Sequence, residues 1–215
     1  GDYNTAFGHK ALRFNTEGDN NTALGRRALY SNQTGAYNTA LGSSSLYDNT
    51  TGDYNSAFGL FSLRFNTTGS SNVAVGYNAL FGNVGGNRNV AIGRGALFSN
   101  TTGTHNTAIG TYADVSSEAL INATAVGYNA KVNASDKVRL GNTDVTVIEG
   151  QVAFSNASDE RIKTDITETK YGLKTALSLK PVDYTMISNE QRNVGFIAQD
   201  VQKLVPEAVS GIEGD

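Results

Sequence analysis

The chain has 215 residues, of which 24 are glycine and none is cysteine or tryptophan, and its formal net charge is −3. The lack of cysteine excludes disulfide bridges and thiolate metal sites. No basic stripe is available for a phosphate backbone, and no apolar run approaches the roughly 20 residues that span a bilayer, so we expect neither nucleic-acid binding nor membrane insertion.

A 17-residue repeat fills the first two thirds of the chain. Its motif is Gly-x-x-Asn-Thr-Ala-x-Gly, first seen at residues 1–8, and repeat positions are numbered here from the first glycine of each repeat. The glycine of repeat position 8 returns at a constant interval, as Gly8, Gly25, Gly42, Gly59, Gly76, Gly93, Gly110 and Gly127. Equal spacing without insertions indicates units stacked on one another, because a globular core does not require it. The sequence therefore predicts a β-solenoid of 17-residue coils.

The repeat positions differ in composition, and this predicts their roles. Position 6 is alanine, position 7 is a large apolar residue, position 11 is alanine or serine, and position 12 is leucine in the six full repeats. We expect two short strands per coil, one through Asn-Thr-Ala-x-Gly and one through Ala-Leu-x-x-Asn. Glycine at position 1 and asparagine at position 15 would form the turns, since both residues tolerate positive φ. Asparagines at positions 4 and 15 would stack into ladders, although those of position 15 could equally well only fill turns.

A single coil of this kind is too thin to exclude water from both faces, so association is expected. Small residues at positions 6, 8 and 11 would permit close approach at a symmetry axis. The motif, with its variants at 72–76 and 89–93, resembles the head repeat of YadA-like trimeric autotransporter adhesins over residues 1–127. That resemblance implies a left-handed β-roll packed as a homotrimer. Because the usual interval in that family is slightly shorter, we expect a longer outer loop here.

Aromatic and histidine residues of the repeat are candidate binding groups. Aromatic residues recur at positions 3, 13 and 14, as Tyr3, Tyr37, Tyr54, Phe14, Tyr30, Tyr47, Phe65, Phe81 and Phe98. They either form a glycan-binding strip or pack the outer loop against the next coil. His9 and His105 occupy different repeat positions, so we expect no metal site and no cofactor. No pair of carboxylates recurs at a suitable position, which makes polysaccharide cleavage by the shaft the weakest hypothesis.

The period breaks after Gly127, because the next equivalent glycine, Gly141, follows after 14 residues. The apolar residues that predict strand in this region are Val138, Leu140, Val145, Val147 and Ile148. We interpret residues 128–150 as a terminal coil and a neck, since the open end of a solenoid would leave unpaired edge groups.

From residue 151 the pattern is that of a small α+β module. Its predicted elements are a helix over 169–179, strands over 182–187 and 193–198, and a helix over 199–204. A module of this size has a marginal core, so we expect it to rely on sister chains or on residues beyond Asp215. The chain also starts on a repeat boundary without methionine, and we expect it to be a segment of a longer protein.

Three ordered motifs in this module carry a second resemblance. They are Ser158-Asp159-Glu160-Arg161-Ile162-Lys163, then Leu179-Lys180-Pro181-Val182, then Gly195-Phe196-Ile197-Ala198-Gln199-Asp200-Val201 with Val205-Pro206-Glu207-Ala208-Val209. Together they resemble the C-terminal intramolecular chaperone domain of endosialidase-type phage tail spikes, which is counted as a serine peptidase family. The resemblance implies that the domain drives trimerisation of the preceding β-rich fibre and then cuts itself off beside the motif serine. By position that serine is Ser158, and the lysine partner of the family falls on Lys163.

The chemistry implied for Ser158 and Lys163 is nucleophilic attack by the serine on a neighbouring backbone carbonyl. Lysine is charged at neutral pH, so Lys163 can take the proton only if burial lowers its pKa. An extended segment would hold the two side chains about 16 Å apart, and a helix would place them on different faces. A turn, or a lysine from a neighbouring protomer, must therefore bring the groups together. Some members of this family assemble without cutting themselves. Two alternatives therefore stay open for this domain: it is a single-turnover serine endopeptidase, or it stays attached to the chain.

The sequence thus predicts a mainly β protein with a repeat shaft over 1–127, a terminal coil and neck over 128–150, and a chaperone domain over 151–215. The predicted function is a homotrimeric fibre or adhesin, part of a phage tail fibre or a similar surface appendage, that binds a host-surface glycan or protein receptor. We expect it on the virion tail fibre or outside the cell. The alternative is a bacterial cell-surface trimeric adhesin of the YadA-like kind.

Overall fold

The computed structural model describes residues 1–148, 170–185 and 192–206. The chain divides into two compact units, Gly1–Val145 and Thr146–Asp215. The first unit contains the repeats, and the second contains the three C-terminal motifs.

The first unit is a β-solenoid in which each coil contributes one short strand to a single parallel sheet. The strands of this unit are β1 Thr5–Phe7, β2 Thr22–Leu24, β3 Thr39–Leu41, β4 Ser56–Phe58, β5 Val73–Val75, β6 Val90–Ile92, β7 Thr107–Ile109, β8 Asp114–Val115, β9 Thr124–Val126, β10 Lys131–Val132 and β11 Val138–Leu140. The main sheet has the order β1-β2-β3-β4-β5-β6-β7-β9-β11, and β8 pairs with β10 separately. Neighbouring strands pair at equal repeat positions, as Thr5 does with Thr22. The predicted mainly β solenoid is confirmed.

The core of the solenoid is narrow because small side chains fill it. In the strands β2 to β7 and in β9 the middle residue is buried and its two neighbours are more exposed, as in the strand Ser56–Phe58. Alanine at position 6 and leucine at position 12 are fully buried, as Ala57 and Leu63 illustrate. The small residues at positions 6 and 11 therefore line the interior of one chain. Their predicted location at a symmetry axis is wrong.

Glycine at position 8 allows consecutive coils to stack closely. Gly76 has φ +133°, and a Cβ atom placed on it would lie 2.6 Å from the carbonyl oxygen of Gly93 in the next coil. Both the backbone conformation and the available space exclude a side chain. This glycine therefore serves contacts between coils of the same chain.

The second predicted strand is wrong for the first six coils. In residues 1–102, all of which the structure describes, repeat positions 9–14 form turns. The residues with positive φ occupy positions 3, 8, 10 and 12, and they include Leu46 at 48° and Leu63 at 50°. The glycines of position 1 and the asparagines of position 15 do not have positive φ, so the backbone conformation predicted for these turn residues is wrong. A leucine in this region costs about 1–2 kcal/mol, which the burial of its side chain, about 1.5–3 kcal/mol, offsets.

The predicted asparagine ladders are confirmed at both positions. At position 15, the Asn32 amide donates to Asn15 Oδ1 at 2.7 Å and also to the Gly35 carbonyl oxygen at 2.8 Å. At position 4, the Asn21 amide donates to the same Gly35 oxygen at 2.8 Å, while its backbone N–H donates to Asn4 Oδ1 at 2.8 Å. The amides of position 15 therefore form a ladder and also bond the turn that follows them.

The last coils depart from the repeat. Asp114 and Lys131 replace the leucine of position 12, and the neighbouring Val115 and Val132 are buried in its place. These residues form the strands β8 and β10, so a second strand exists only there.

The terminal strand β11 pairs with β9 at an interval of 14 residues, as predicted. The strand ends at Leu140. Val145, Val147 and Ile148 lie outside any strand and are exposed, so the predicted strand there is wrong. Among the described residues beyond Leu140, none extends the main sheet.

The described part of the second unit contains two helices and one pair of antiparallel strands. Its elements are α1 Leu173–Ser178, β12 Val182–Thr185, β13 Arg192–Gly195 and α2 Ala198–Leu204, with β12 and β13 paired antiparallel. The order of the elements is as predicted, except that Ala198 begins a helix and does not end a strand. Neither helix contains a buried residue, and Leu173 and Leu177 are each 76% exposed. In the part of the chain that the structure describes, no helix is both long and apolar enough to cross a membrane.

Candidate functional site

The predicted catalytic residues Ser158 and Lys163 lie outside the described residues. Their pairing therefore stays a prediction. The described part of the second unit nevertheless contains the other two motifs almost completely.

These two motifs meet around a cleft of about 250 Å³. Its lining comes from the end of α1, from the residues that follow β13, and from α2, and includes Leu179, Lys180, Phe196, Ile197, Val201 and Leu204. Segments that are about 17 to 25 residues apart in the sequence thus form one surface, which motif spacing alone did not reveal.

The cleft is apolar with charged edges. Phe196 and Ile197 are exposed, and Lys203 forms a surface ion pair with Asp200 at 2.9 Å. Ser178 also lines the cleft, but its hydroxyl donates to the Lys174 carbonyl oxygen at 2.9 Å. A hydroxyl held in this way is not activated by a neighbouring base. The arrangement therefore suits docking of another surface better than covalent chemistry.

Residues 158–210 match the family model described as the chaperone of endosialidase. The matched segment begins at Ser158, includes Lys163 and covers all three motifs. The prediction of a C-terminal chaperone domain is confirmed. No match was found among curated proteins.

Apolar side chains lie exposed in the matched segment. Phe196, Ile197 and the α1 leucines Leu173 and Leu177 are not covered by the described part of the domain. Uncovered apolar side chains that lie together are typical of surfaces that contact another protein.

A second candidate surface runs along the solenoid. The large apolar residues of position 7 form a column on the outer face of the sheet, which we call the apolar column: Phe7, Leu24, Leu41, Phe58, Val75, Ile92 and Ile109. Their exposed fractions range from 36% at Phe58 to 73% at Phe7. Sequence reasoning identified these positions as apolar but assigned association to the small residues. The signal that could have found the column is strand alternation, because position 7 follows the inward alanine of position 6.

The aromatic residues of positions 3, 13 and 14 pack on one another between coils. Tyr30 and Tyr47 stack with ring centroids 4.8 Å apart, and Tyr37 and Tyr54 stack at 5.0 Å. These contacts support the alternative in which the rings pack one coil against the next. Glycan binding by these rings stays a prediction.

Titratable groups of the solenoid are few and scattered. His105 Nε2 lies 3.3 Å from Arg88 Nη1, and the described residues contain no group of three side chains suited to a metal ion. Burial raises the pKa of Asp114, against the opposing effects of hydrogen bonds from Ser99 and Val115 and of the charge of Lys131.

Proposed function

We propose that this chain is part of a homotrimeric fibre, in a phage tail fibre or a similar surface appendage, whose C-terminal chaperone domain drives assembly of the solenoid. The observation that carries the proposal is the apolar column, which a single chain leaves exposed.

The apolar column has the properties of a self-association surface. Pairing at equal repeat positions places Leu41 beside Phe58 and Phe58 beside Val75, so one large apolar side chain follows another along the sheet. Covering apolar surface contributes about 25 cal/mol for each Å², and soluble monomers rarely expose a long continuous strip. Another copy of the chain presents a strip of the same length and spacing, which suits closed symmetric assembly.

A chaperone domain on the same chain would reduce wrong association of the solenoid during folding. Before assembly the solenoid exposes the apolar column, and this surface favours wrong association. A domain attached to the same chain that gathers the correct partners raises their effective concentration. The resemblance of the three motifs implies that the number of partners is three.

The proposal includes self-release of the chaperone domain after assembly. Ser158 Oγ attacks a neighbouring backbone carbonyl carbon, and Lys163 accepts the hydroxyl proton. The C–N bond of that peptide breaks and Lys163 returns the proton to the departing amine. Water then hydrolyses the resulting ester and restores the serine hydroxyl. A lysine in a monomeric chain keeps its proton, whereas one desolvated at a subunit contact loses it, so assembly would precede cutting. The remaining trimer would bind a host-surface glycan or protein, on the virion or outside the cell.

Native mass spectrometry of the 215-residue chain tests the assembly. We expect a species containing three chains of 22.7 kDa each, or three chains shortened at Ser158. A stable monomer at micromolar concentration would rule out the proposal.

A bacterial surface adhesin of the YadA-like kind is the second candidate. The Asn-x-Ala-x-Gly strand motif, with its inward alanine at positions such as Ala74 and Ala91, favours it. Sequencing of the complete gene separates the two: a C-terminal membrane anchor supports the adhesin, and neighbouring tail genes support the fibre.

A further inference from the structure

The apolar column lies between two flanks of the main sheet. We call repeat positions 2 and 3, which precede each strand, the leading flank, and positions 9 and 10, which come after it, the following flank. On the leading flank the Tyr37 N–H donates to the Asp19 carbonyl oxygen at 3.0 Å. On the following flank the Ser44 N–H donates to the Arg26 carbonyl oxygen at 2.8 Å. The residues of each flank are therefore stacked coil upon coil, as those of the column are.

Coils one and two, which are residues 1–34, carry opposite charges on their two flanks. The acidic residues Asp2 and Asp19 lie on the leading flank, and the basic residues Lys10, Arg26 and Arg27 lie on the following flank. Asp2 and Arg26 are exposed, and the other three residues are partly exposed. In these two coils the apolar column thus has a negative border on one side and a positive border on the other.

The remaining coils lack this pattern. Coils three, five, seven and eight have no Asp, Glu, Lys or Arg on either flank. Coil four has Asp53 on its leading flank, across the sheet from the uncharged Leu60 and Phe61. Coil six has two like charges, Arg88 on the leading flank and Arg94 on the following flank. Opposite charges on the two borders of the column are therefore a property of coils one and two.

The opposite charges of these coils do not meet within one chain. Asp19 and Arg26 are separated by up to about 23 Å of extended backbone. Among the described residues, the ion pairs all lie in the second unit. One carboxylate oxygen of Asp19 accepts from the backbone N–H of Asp2, and the other accepts no hydrogen bond from the described residues. The carboxylate of Asp19 and the exposed Arg26 are thus both available to another chain.

The flanks distinguish two orientations of a second copy that the apolar column alone does not. Position 7 is apolar in every coil, so the column is similar in both directions. If two chains pack their columns together in the same direction, the leading flank of one faces the following flank of the other at the same coil. Asp19 then faces Arg26, and Asp2 faces Lys10. If fully overlapping chains run in opposite directions, coils one and two face coils eight and seven, which have no Asp, Glu, Lys or Arg on their flanks.

We propose that the flank charges of coils one and two are a recognition surface for a second copy of this chain that runs in the same direction. Asp19 of one chain pairs with Arg26 of the next, and Asp2 pairs with Lys10, at every contact of a closed ring. Complementary charges beside an apolar contact contribute mainly to orientation and specificity, while the column contributes most of the affinity. This inference rests on the proposed trimer and names the residues that orient its chains.

Sedimentation velocity of the 215-residue chain tests the inference, in a urea concentration at which half of the wild-type trimer is dissociated. Asp19→Lys should raise the dissociation constant of the trimer at least about tenfold, because it replaces attraction by repulsion at all three contacts of the ring. Adding Arg26→Glu should recover at least about threefold of this loss, since the exchanged charges attract again when the chains are parallel. Arg27 stays unchanged, because its guanidinium lies over the ring of Tyr30, 5.8 Å from the centroid.

Asp53→Lys is the matched control. Asp53 has the same repeat position as Asp19, and its Oδ1 likewise accepts a backbone N–H, that of Ala36. Because parallel chains place Asp53 opposite uncharged residues, this variant should dissociate within about twofold of the wild type. Circular dichroism at the same urea concentration shows whether each variant is folded.

Three outcomes would overturn the inference: a trimer of Asp19→Lys as stable as the wild type, an equal loss in Asp53→Lys, or no recovery on adding Arg26→Glu. Absence of recovery is also the result expected of antiparallel chains, in which Asp19 and Arg26 do not face each other. Each of these outcomes leaves the wild-type trimer in place and so rejects only the role of the charges. A wild-type chain that is monomeric without urea rejects the trimer itself, and this inference with it.

Discussion

The side chain of Asn32 donates a hydrogen bond to the side-chain oxygen of Asn15, 2.7 Å away in the preceding coil. The same contact joins each pair of successive coils as far as Asn100. From Asn32 onward these side chains are fully buried. The ladder therefore stabilises the stack through polar contacts in the interior, where the small core offers little apolar area.

Replacing Asn66 by alanine should destabilise the solenoid by about 3 kcal/mol. Asn66 donates to Asn49 Oδ1 and to the Gly69 carbonyl oxygen, and it accepts from Asn83, each at 2.8 Å. Its removal leaves buried groups on both neighbouring coils without partners. Chemical denaturation measures the loss, and the exposed Thr68→Ala serves as control with an expected change below about 0.5 kcal/mol. Equal effects of the two substitutions would show that the ladder contributes nothing.

The substitution Gly76→Val should prevent stable folding, with a loss above about 3 kcal/mol. The positive φ and the carbonyl oxygen of Gly93 leave no room for a side chain. Gly85 in the same coil provides the control, because a Cβ there would meet only the hydroxyl of Thr68, at 3.4 Å. The melting temperature of Gly85→Ala should stay close to that of the wild type. A folded Gly76→Val chain with an unchanged melting temperature would contradict the stacking described above.

Substituting Phe58 and Ile92 together by asparagine should convert the proposed trimer into folded monomers. Both side chains belong to the apolar column and contact solvent in the single chain. Their replacement should therefore reduce the free energy of association, by about 1.5 kcal/mol per covered side chain, more than the free energy of unfolding. Sedimentation velocity measures the assembly, and circular dichroism measures the fold. Val84→Asn changes an equally exposed apolar residue outside the column and should leave the trimer intact. A double variant that remains trimeric would place the interface elsewhere.

The substitution Asp114→Asn should raise the melting temperature at pH 7 by a few degrees. Burial raises the pKa of Asp114 in the folded chain above the ordinary value of 3.8. At pH values between the ordinary pKa, which holds in the unfolded chain, and the raised pKa of the folded chain, the folded chain binds more protons. The free energy of unfolding therefore decreases as the pH rises through this window. The variant lacks this loss, and its Oδ1 still accepts from the backbone N–H groups of Ser99 and Val115. Ser99 Oγ, which donates to Asp114 Oδ2 at 2.8 Å, would instead accept from the amide NH₂ group of the variant. The difference from the wild type should vanish below pH 3.8, and a difference that persists there would assign the effect to packing.

The substitutions Ser158→Ala and Lys163→Ala should each leave an uncut and still trimeric chain in the full-length gene product. Denaturing gels reveal the cut, and mass spectrometry of the fragments locates it beside Ser158. Lys163→Arg is a useful control, because it keeps the positive charge but cannot accept the proton. Cutting that continues in Ser158→Ala would remove this serine from the mechanism, and a wild-type product that never shortens would mean that the domain is retained.

Much of the solenoid could be predicted because a fixed period reports directly on stacking. The strand of each coil, the inward alanine and both ladders follow from residue types that recur every 17 residues. The turn could not be predicted in the same way. Leu46 and Leu63 have positive φ, which contradicts the preference of leucine and arises from packing between neighbouring coils.

The functional surfaces were predictable to different degrees. Three ordered motifs were sufficient to find the chaperone domain, because they are continuous in the sequence. The apolar column is different, because the repeat shows that position 7 is apolar but does not show whether the rest of the chain covers that face.

The constant register of the solenoid has a genetic consequence. Each strand pairs with residues at the same repeat position of the next coil, as Ala57 pairs with Ala74 and Ala74 with Ala91. An in-frame loss or duplication of 17 codons between equivalent points therefore recreates every contact across the junction. Unequal recombination within the gene can lengthen or shorten the rod in whole coils while both of its ends stay the same. The length of the solenoid can thus evolve separately from the sequences at its two ends.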